Sequence, residues 1–151
     1  MGAIGDNGEY SFNAVGEILY VLQKNDRKFL NDSLGKYGFT LLQAMCLLMI
    51  DYESKVTQQE LTEIYFLSKS AVTKSINNLE DQGFIYRKAS QEDKRQYELV
   101  ITESGEEMLI VIKDIFDQWE TALGFNELDD DFIEKLAGLA QKAIKLNENN
   151  I

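Results

Sequence analysis

A mainly α-helical fold carrying one small β-hairpin (α+β) is what this 151-residue chain predicts, on three observations. Apolar residues recur at helical spacing over most of its length. The period turns extended only in two short stretches after Gly83, and proline is absent, so no helix is interrupted by a residue lacking an N–H. The expected order is helix, helix, helix, helix, hairpin, helix, helix, without internal repeats or low-complexity tracts.

Each element has its own signal. Between Tyr10 and Leu34 the positions Phe12, Val15, Ile18, Leu19, Leu22, Phe29 and Leu30 support a first helix of about 24 residues, ended by Gly35 and Gly38. Met1–Tyr10 is polar and Gly-rich, and is expected to be a frayed N-terminus rather than a secretion signal. Met1-Gly2 is not read as a myristoylation site, because Asp6 stands where Ser or Thr is wanted. Thr40-Leu41-Leu42-Gln43 is a capping box opening a core helix, Leu41–Tyr52, whose apolar run is too short to span a bilayer. A second box, Thr57-Gln58-Gln59-Glu60, opens a short helix with Leu61 and Ile64 inward. Ser68 caps the next, which runs to Asp81, buries Val72, Ile76 and Leu79, and stops at Gly83. Two short helices so close together suggest a helix-turn-helix. Phe84–Lys88 and Tyr97–Ile101 then form the hairpin around a charged tip, Ala89–Gln96. Thr102 caps a long helix lined by Met108, Leu109, Ile112, Ile115, Phe116, Trp119 and Leu123. Asp129-Asp130-Asp131 suits the start of a last helix carrying Phe132, Leu136, Leu139, Ala143 and Ile144.

Composition narrows the function classes. Hydrophobic residues at 44% and charged residues at 27% fit a folded protein. A single cysteine, Cys46, and no histidine leave no disulfide and no usual zinc site. With no Gly-rich phosphate loop, metal set or nucleophile–base pair, neither an enzyme nor a cofactor is expected. With neither a signal nor a spanning segment visible, the expected location is cytoplasmic, with no membrane partner.

The net charge of −11 looks hostile to nucleic acid until it is divided. Residues 54–97 carry seven bases and six acids, a net of +1, while the remainder carries eight bases and twenty acids, a net of −12. A duplex facing only the middle segment is screened from distant acids beyond a Debye length of about 10 Å. On the helix after Ser68, the face opposite the buried stripe offers Lys69, Ser70, Thr73, Lys74 and Asn77, a mixture suited to base edges and phosphates. Ser68 sits at its N-terminus, where free N–H groups meet an anion. At the hairpin tip Lys94 and Arg95 suit a minor groove, with Asp93 as a brace for Arg95. A merely solvated surface would look similar at either place alone; the two in succession are far more specific.

Over nearly its whole length the chain resembles the MarR family of winged helix-turn-helix regulators. The matching stretches are Gly38–Gln43, Gln59–Leu61, Leu67–Lys74, Leu79–Ile85, Asp93-Lys94-Arg95 and Ile101–Gly105. The resemblance implies a homodimer formed by the first and last helices, with one recognition helix from each protomer in a major groove. It implies Arg95 in the minor groove, buttressed by Asp93, and in many members an anionic aromatic ligand between the two lobes. One departure stands out: the turn between the short helices carries Phe66 where the family usually has Gly. A bulky residue enters a left-handed conformation at a cost, so a reshaped turn, or Phe66 plugging a pocket, is expected. Some members sense peroxide through a first-helix cysteine, whereas Cys46 falls in the second helix among Met45, Leu47, Leu48 and Met49 and is expected to be structural.

The expected organisation is one domain of this type over 1–151. Residues 10–36 and 103–148 form a helical dimerisation scaffold, and 40–101 form the winged helix-turn-helix DNA-binding lobe, whose reading unit is 55–101. The expected function is a transcriptional repressor that binds double-stranded DNA sequence-specifically, as a homodimer on a palindromic operator, released by a small aromatic or anionic effector. The alternative is a winged-helix protein-interaction module that has lost DNA binding.

Overall fold

Six helices and two antiparallel strand pairs form among the described residues, which are 3–4, 9–53, 55–64 and 66–148 of a computed structural model. In order they are β1 (Ala3–Ile4), β2 (Tyr10–Ser11), α1 (Val15–Gly35), α2 (Leu41–Tyr52), α3 (Gln58–Ile64), α4 (Lys69–Asp81), β3 (Ile85–Ala89), β4 (Tyr97–Ile101), α5 (Glu103–Leu123), a short 3-10 turn (Phe125–Glu127) and α6 (Asp130–Glu148). The chain divides into two compact units, Met1–Phe116 and Asp117–Ile151, with the division falling inside α5.

The first unit holds the hydrophobic core. Leu34 of α1, Leu47 of α2, Leu61 of α3, Ile76 of α4, Ile85 of β3 and Ile112 of α5 are among its fully buried side chains. Helix α4 is central: it packs against α2 and α3, and its end meets β3. Both capping boxes form. Gln43 N–H donates to Thr40 Oγ1 at 3.2 Å and Thr40 N–H to Gln43 Oε1 at 3.1 Å; Glu60 N–H donates to Thr57 Oγ1 at 3.3 Å and Thr57 N–H to Glu60 Oε2 at 2.7 Å. Strands β3 and β4 pair from Ile85↔Ile101 to Ala89↔Tyr97. The chain before α3 adds to that sheet through Leu99 N–H to Val56 O at 3.0 Å and a bridge between Thr57 and Glu98.

Three expectations are corrected. The first helix starts at Val15, not near Tyr10, because Tyr10–Ser11 pairs with Ala3–Ile4. Extended backbone puts residues i and i+2 on one side, and the Tyr10 and Phe12 rings accordingly stack at 6.4 Å. The same pairing replaces the expected fraying at residues 3–4 and 10–11; Met1, Gly2 and Asp6, and the side chain of Ile64, lie outside the described residues. Phe66, finally, does take the left-handed conformation, at φ 52°, and with 72% of its surface exposed it plugs no pocket.

In the second unit, Asp129 Oδ1 accepts the Phe132 N–H at 2.7 Å, a side-chain cap on α6. None of the residues of α6 is buried; Phe132, Ile133, Leu136, Leu139 and Leu146 are all exposed. Among the described residues no helix is long and apolar enough to cross a membrane.

Candidate nucleic-acid interface

The burial of Val72, Ile76 and Leu79 fixes which side of α4 faces out. Ser70, Lys74 and Asn77 are exposed on that side, Thr73 is half-buried, and Lys69 is exposed one residue before Ser70. No acid interrupts this face before Glu80. Ser68 is the N-cap, its Oγ accepting the Ala71 N–H at 3.3 Å and lying 3.4 Å from Ser70 Oγ. Lys69, Ser70, Thr73, Lys74, Asn77 and Asn78 together line a shallow depression along the helix.

Two of these polar groups are held by neighbours. Thr73 Oγ1 donates to the Lys69 carbonyl at 2.8 Å and accepts from Gln58 Nε2 at 2.6 Å, so its hydroxyl proton is already used. Asn77 Oδ1 accepts from Arg87 Nη2 at 2.9 Å, and Arg87 Nη1 bonds to Glu80. Gln58, Glu80 and Arg87 were not singled out from the sequence. Their partners lie seven to fifteen residues away, beyond the reach of any local pattern.

The wing is tied by hydrogen bonds at its tip and at its base. Ser90 is buried, and its Oγ accepts the N–H groups of Glu92 and Asp93, each at 3.3 Å. Asp93 Oδ1 then accepts from Arg95 twice, from the backbone N–H at 3.0 Å and from Nε at 3.4 Å. The Arg95 side chain is 92% exposed, so its remaining guanidinium donors point to solvent; Lys94 beside it is also exposed. Gln96 Nε2 donates to Gln59 Oε1 at 3.1 Å and ties the tip to α3. At the base, Thr102 N–H bonds the Phe84 carbonyl at 3.0 Å, Thr102 Oγ1 donates to Gly83 O at 2.6 Å, and the Gly105 N–H returns to Thr102 Oγ1 at 3.1 Å. Between α3, α4 and the wing lies a concavity of about 470 Å³, edged by Lys69, Arg87 and Arg95.

Cys46 takes no part in this face. It is buried, and desolvation pushes its thiol up to about 11 from the ordinary 9.0. The folded chain therefore keeps the proton longer than the unfolded one. The stability this contributes is complete below pH 9.0 and is lost as pH rises through about 11. Among the described residues no group of three or more acidic or cysteine side chains is placed to hold a metal.

A profile described as the MarR family matches residues 37–96, which span α2, α3, α4 and the wing up to its tip. Among curated relatives, the HTH-type transcriptional regulator SarZ of Staphylococcus haemolyticus is 30% identical over 109 residues, 72% of this chain and 74% of its own length. The crystal structure of MarR superposes with a TM-score of 0.73 at 28% identity, covering 91% of this chain and 95% of that one. The Staphylococcus aureus MepR–DNA complex shares the fold at 19% identity, with a TM-score of 0.72 over 89% of this chain and 98% of its own.

Proposed function

The chain belongs to the MarR family of winged helix-turn-helix transcriptional regulators, and from that premise we propose that it is a homodimeric repressor of a palindromic double-stranded DNA operator. One observation carries the proposal. An outward helix face bearing Lys69, Ser70, Thr73, Lys74 and Asn77, free of acids, stands with a wing whose Arg95 is braced by Asp93 and otherwise open. Short polar groups on such a face read base edges in the major groove, and an exposed arginine beside it suits the narrower, more negative minor groove. Ser68 and the helix N-terminus would take a phosphate, as would Lys69, Lys74 and Lys94.

The dimer part rests on surfaces that water serves badly. Val15, Ile18, Leu19 and Leu22 of α1 are exposed, and so are Phe132, Ile133, Leu136, Leu139 and Leu146 of α6. A second copy covering each would remove them from solvent, and two-fold symmetry would set half-sites one helical turn apart, about 34 Å. Sedimentation tests this part: a dimer is expected at micromolar concentration, and Leu136→Glu with Leu139→Glu should yield monomers. A monomeric wild type would end it. Release by a small aromatic or anionic effector belongs to the same proposal. The concavity edged by Glu63, Lys69, Arg87 and Arg95 has the size for one, and filling it would compete with DNA.

Electrophoretic shift on the duplex upstream of its own gene, across a salt series, tests the whole. Eight cations from two protomers predict a log–log salt slope of about −7. Arg95→Ala should weaken all sequences alike, by about tenfold, whereas Thr73→Ala should relax sequence preference. No shift at any salt would favour a winged-helix module that binds protein instead.

A further inference from the structure

The wing tip is closed on itself. Gln96 N–H donates to the Asp93 carbonyl at 3.0 Å, and the Gln96 carbonyl accepts the Ser90 N–H at 3.1 Å. Arg95 lies inside that loop, held through its own N–H and Nε by Asp93 Oδ1. Residues 93–96 are thus fastened together, and what anchors Gln96 also sets where Arg95 projects from. The anchor is a relay of side chains. Gln96 Nε2 donates to Gln59 Oε1 at 3.1 Å, and Gln59 Nε2 donates to Glu63 Oε1 at 3.1 Å, four residues further along α3. An ionised carboxylate only accepts, so Glu63 draws the Gln59 NH2 and leaves the Gln59 carbonyl for Gln96. Gln59, Glu63, Arg95 and Gln96 all edge the same concavity.

The geometry points to Gln96 and Gln59 as positioning residues for Arg95: their bond sets the wing tip against α3, so that the guanidinium is presented already placed. The Arg95 side chain is 92% exposed, so beyond its bond to Asp93 its position follows the loop that carries it. A group already in place loses less freedom on binding than one that must first be ordered. One neutral hydrogen bond contributes modestly, so the gain is a few-fold, and it cannot exceed what Arg95 itself contributes. Neither glutamine touches DNA in this role, which rests on the wing meeting the duplex as proposed above.

The test is a double-mutant cycle read by electrophoretic shift on the duplex upstream of the protein's own gene. It uses the full-length protein at one salt concentration, with melting followed in parallel. Gln96→Ala and Gln59→Ala should each weaken binding about threefold, and the two together no more than either alone. In the Arg95→Ala background both should cost nothing further, because the side chain they place is gone. A merely structural role would lower the melting temperature and persist without Arg95, and a direct contact between either glutamine and DNA would persist as well. A loss carried undiminished into Arg95→Ala, no loss from either glutamine variant, or a loss from one but not the other, would each overturn the positioning role alone. If Gln96→Ala fails to fold, Gln59→Ala completes the cycle with Arg95→Ala by itself. A wild type that retains no duplex at low salt, or an Arg95→Ala variant that binds as wild type does, would overturn the DNA-binding proposal or its wing contact, and this role with it.

Discussion

The turns before and after α4 are the same backbone device built from different residues. After α3, Phe66 N–H bonds Glu63 O at 3.3 Å and Leu67 N–H bonds Thr62 O at 3.2 Å; after α4, Gly83 N–H bonds Glu80 O and Phe84 N–H bonds Leu79 O, both at 2.9 Å. In each the left-handed residue is the donor of the first of these bonds, Phe66 at φ 52° and Gly83 at φ 79°. Gly38 closes α1 in the same way, at φ 76°. Glycine takes this conformation freely, whereas an L side chain bears about 1–2 kcal/mol for it. Phe66 recovers little by burial, being 72% exposed. The difference teaches that the packing of α3 and α4, through Leu61, Val72 and the Gln58–Thr73 hydrogen bond, dictates the first turn against the preference of its residue. The second turn is one that sequence and packing both favour.

The largest expected effect lies where the second turn is locked to the wing. A Cβ on Gly105 would overlap the Phe84 carbonyl oxygen and sit 2.7 Å from Ile101 Cγ2. The first of these is backbone and cannot swing aside. Gly105→Ala should lower unfolding stability by about 3 kcal/mol, the upper range for overpacking, read from denaturant titration with an unchanged m-value. A loss below about 1 kcal/mol would mean that α5 shifts freely against Phe84 and that the junction is not locked.

Gly83→Ala isolates the backbone cost, because nothing lies within 4 Å of a Cβ built there. It should lose about 1–2 kcal/mol, the left-handed penalty alone. A loss well outside that range would show that the two turns differ in more than residue type.

Legibility followed distance along the chain. The capping boxes at Thr40 and Thr57, the Ser68 cap and the Gly83 stop are decided within one helical turn, and each could be read from neighbouring residues. The Asp93–Arg95 contact spans two residues and was legible for the same reason. Helix α4's buried stripe followed from spacing, and with it the outward face. What escaped were pairings set by packing: Ala3–Ile4 against Tyr10–Ser11, Gln58 with Thr73, Gln59 with Gln96, and Arg87 with both Asn77 and Glu80. Nothing local marks such partners, since each side chain is an ordinary surface residue until the fold brings the other to it. Phe66 was conspicuous, but its outcome was not legible, because a local preference was overridden by contacts of the two helices it joins.

The smallest expected effects probe the first turn. Phe66→Gly removes the left-handed strain but enlarges the conformational freedom of the unfolded chain, which offsets part of the gain. A net stabilisation of about 0.5–1 kcal/mol is expected, opposite in sign to Gly83→Ala at the matching position of the other turn. Phe66→Ala keeps the Cβ, and hence the strain, while deleting an exposed ring, so it should change stability by less than about 0.5 kcal/mol. The pair of variants separates backbone from ring. If Phe66→Ala stabilises as much as Phe66→Gly, the ring itself is what the turn suffers from, and the comparison of the two turns as one device with different residues fails. If stability follows the expected order while Phe66→Ala alone weakens duplex retention, the strain is tolerated for what the exposed ring contributes to holding DNA.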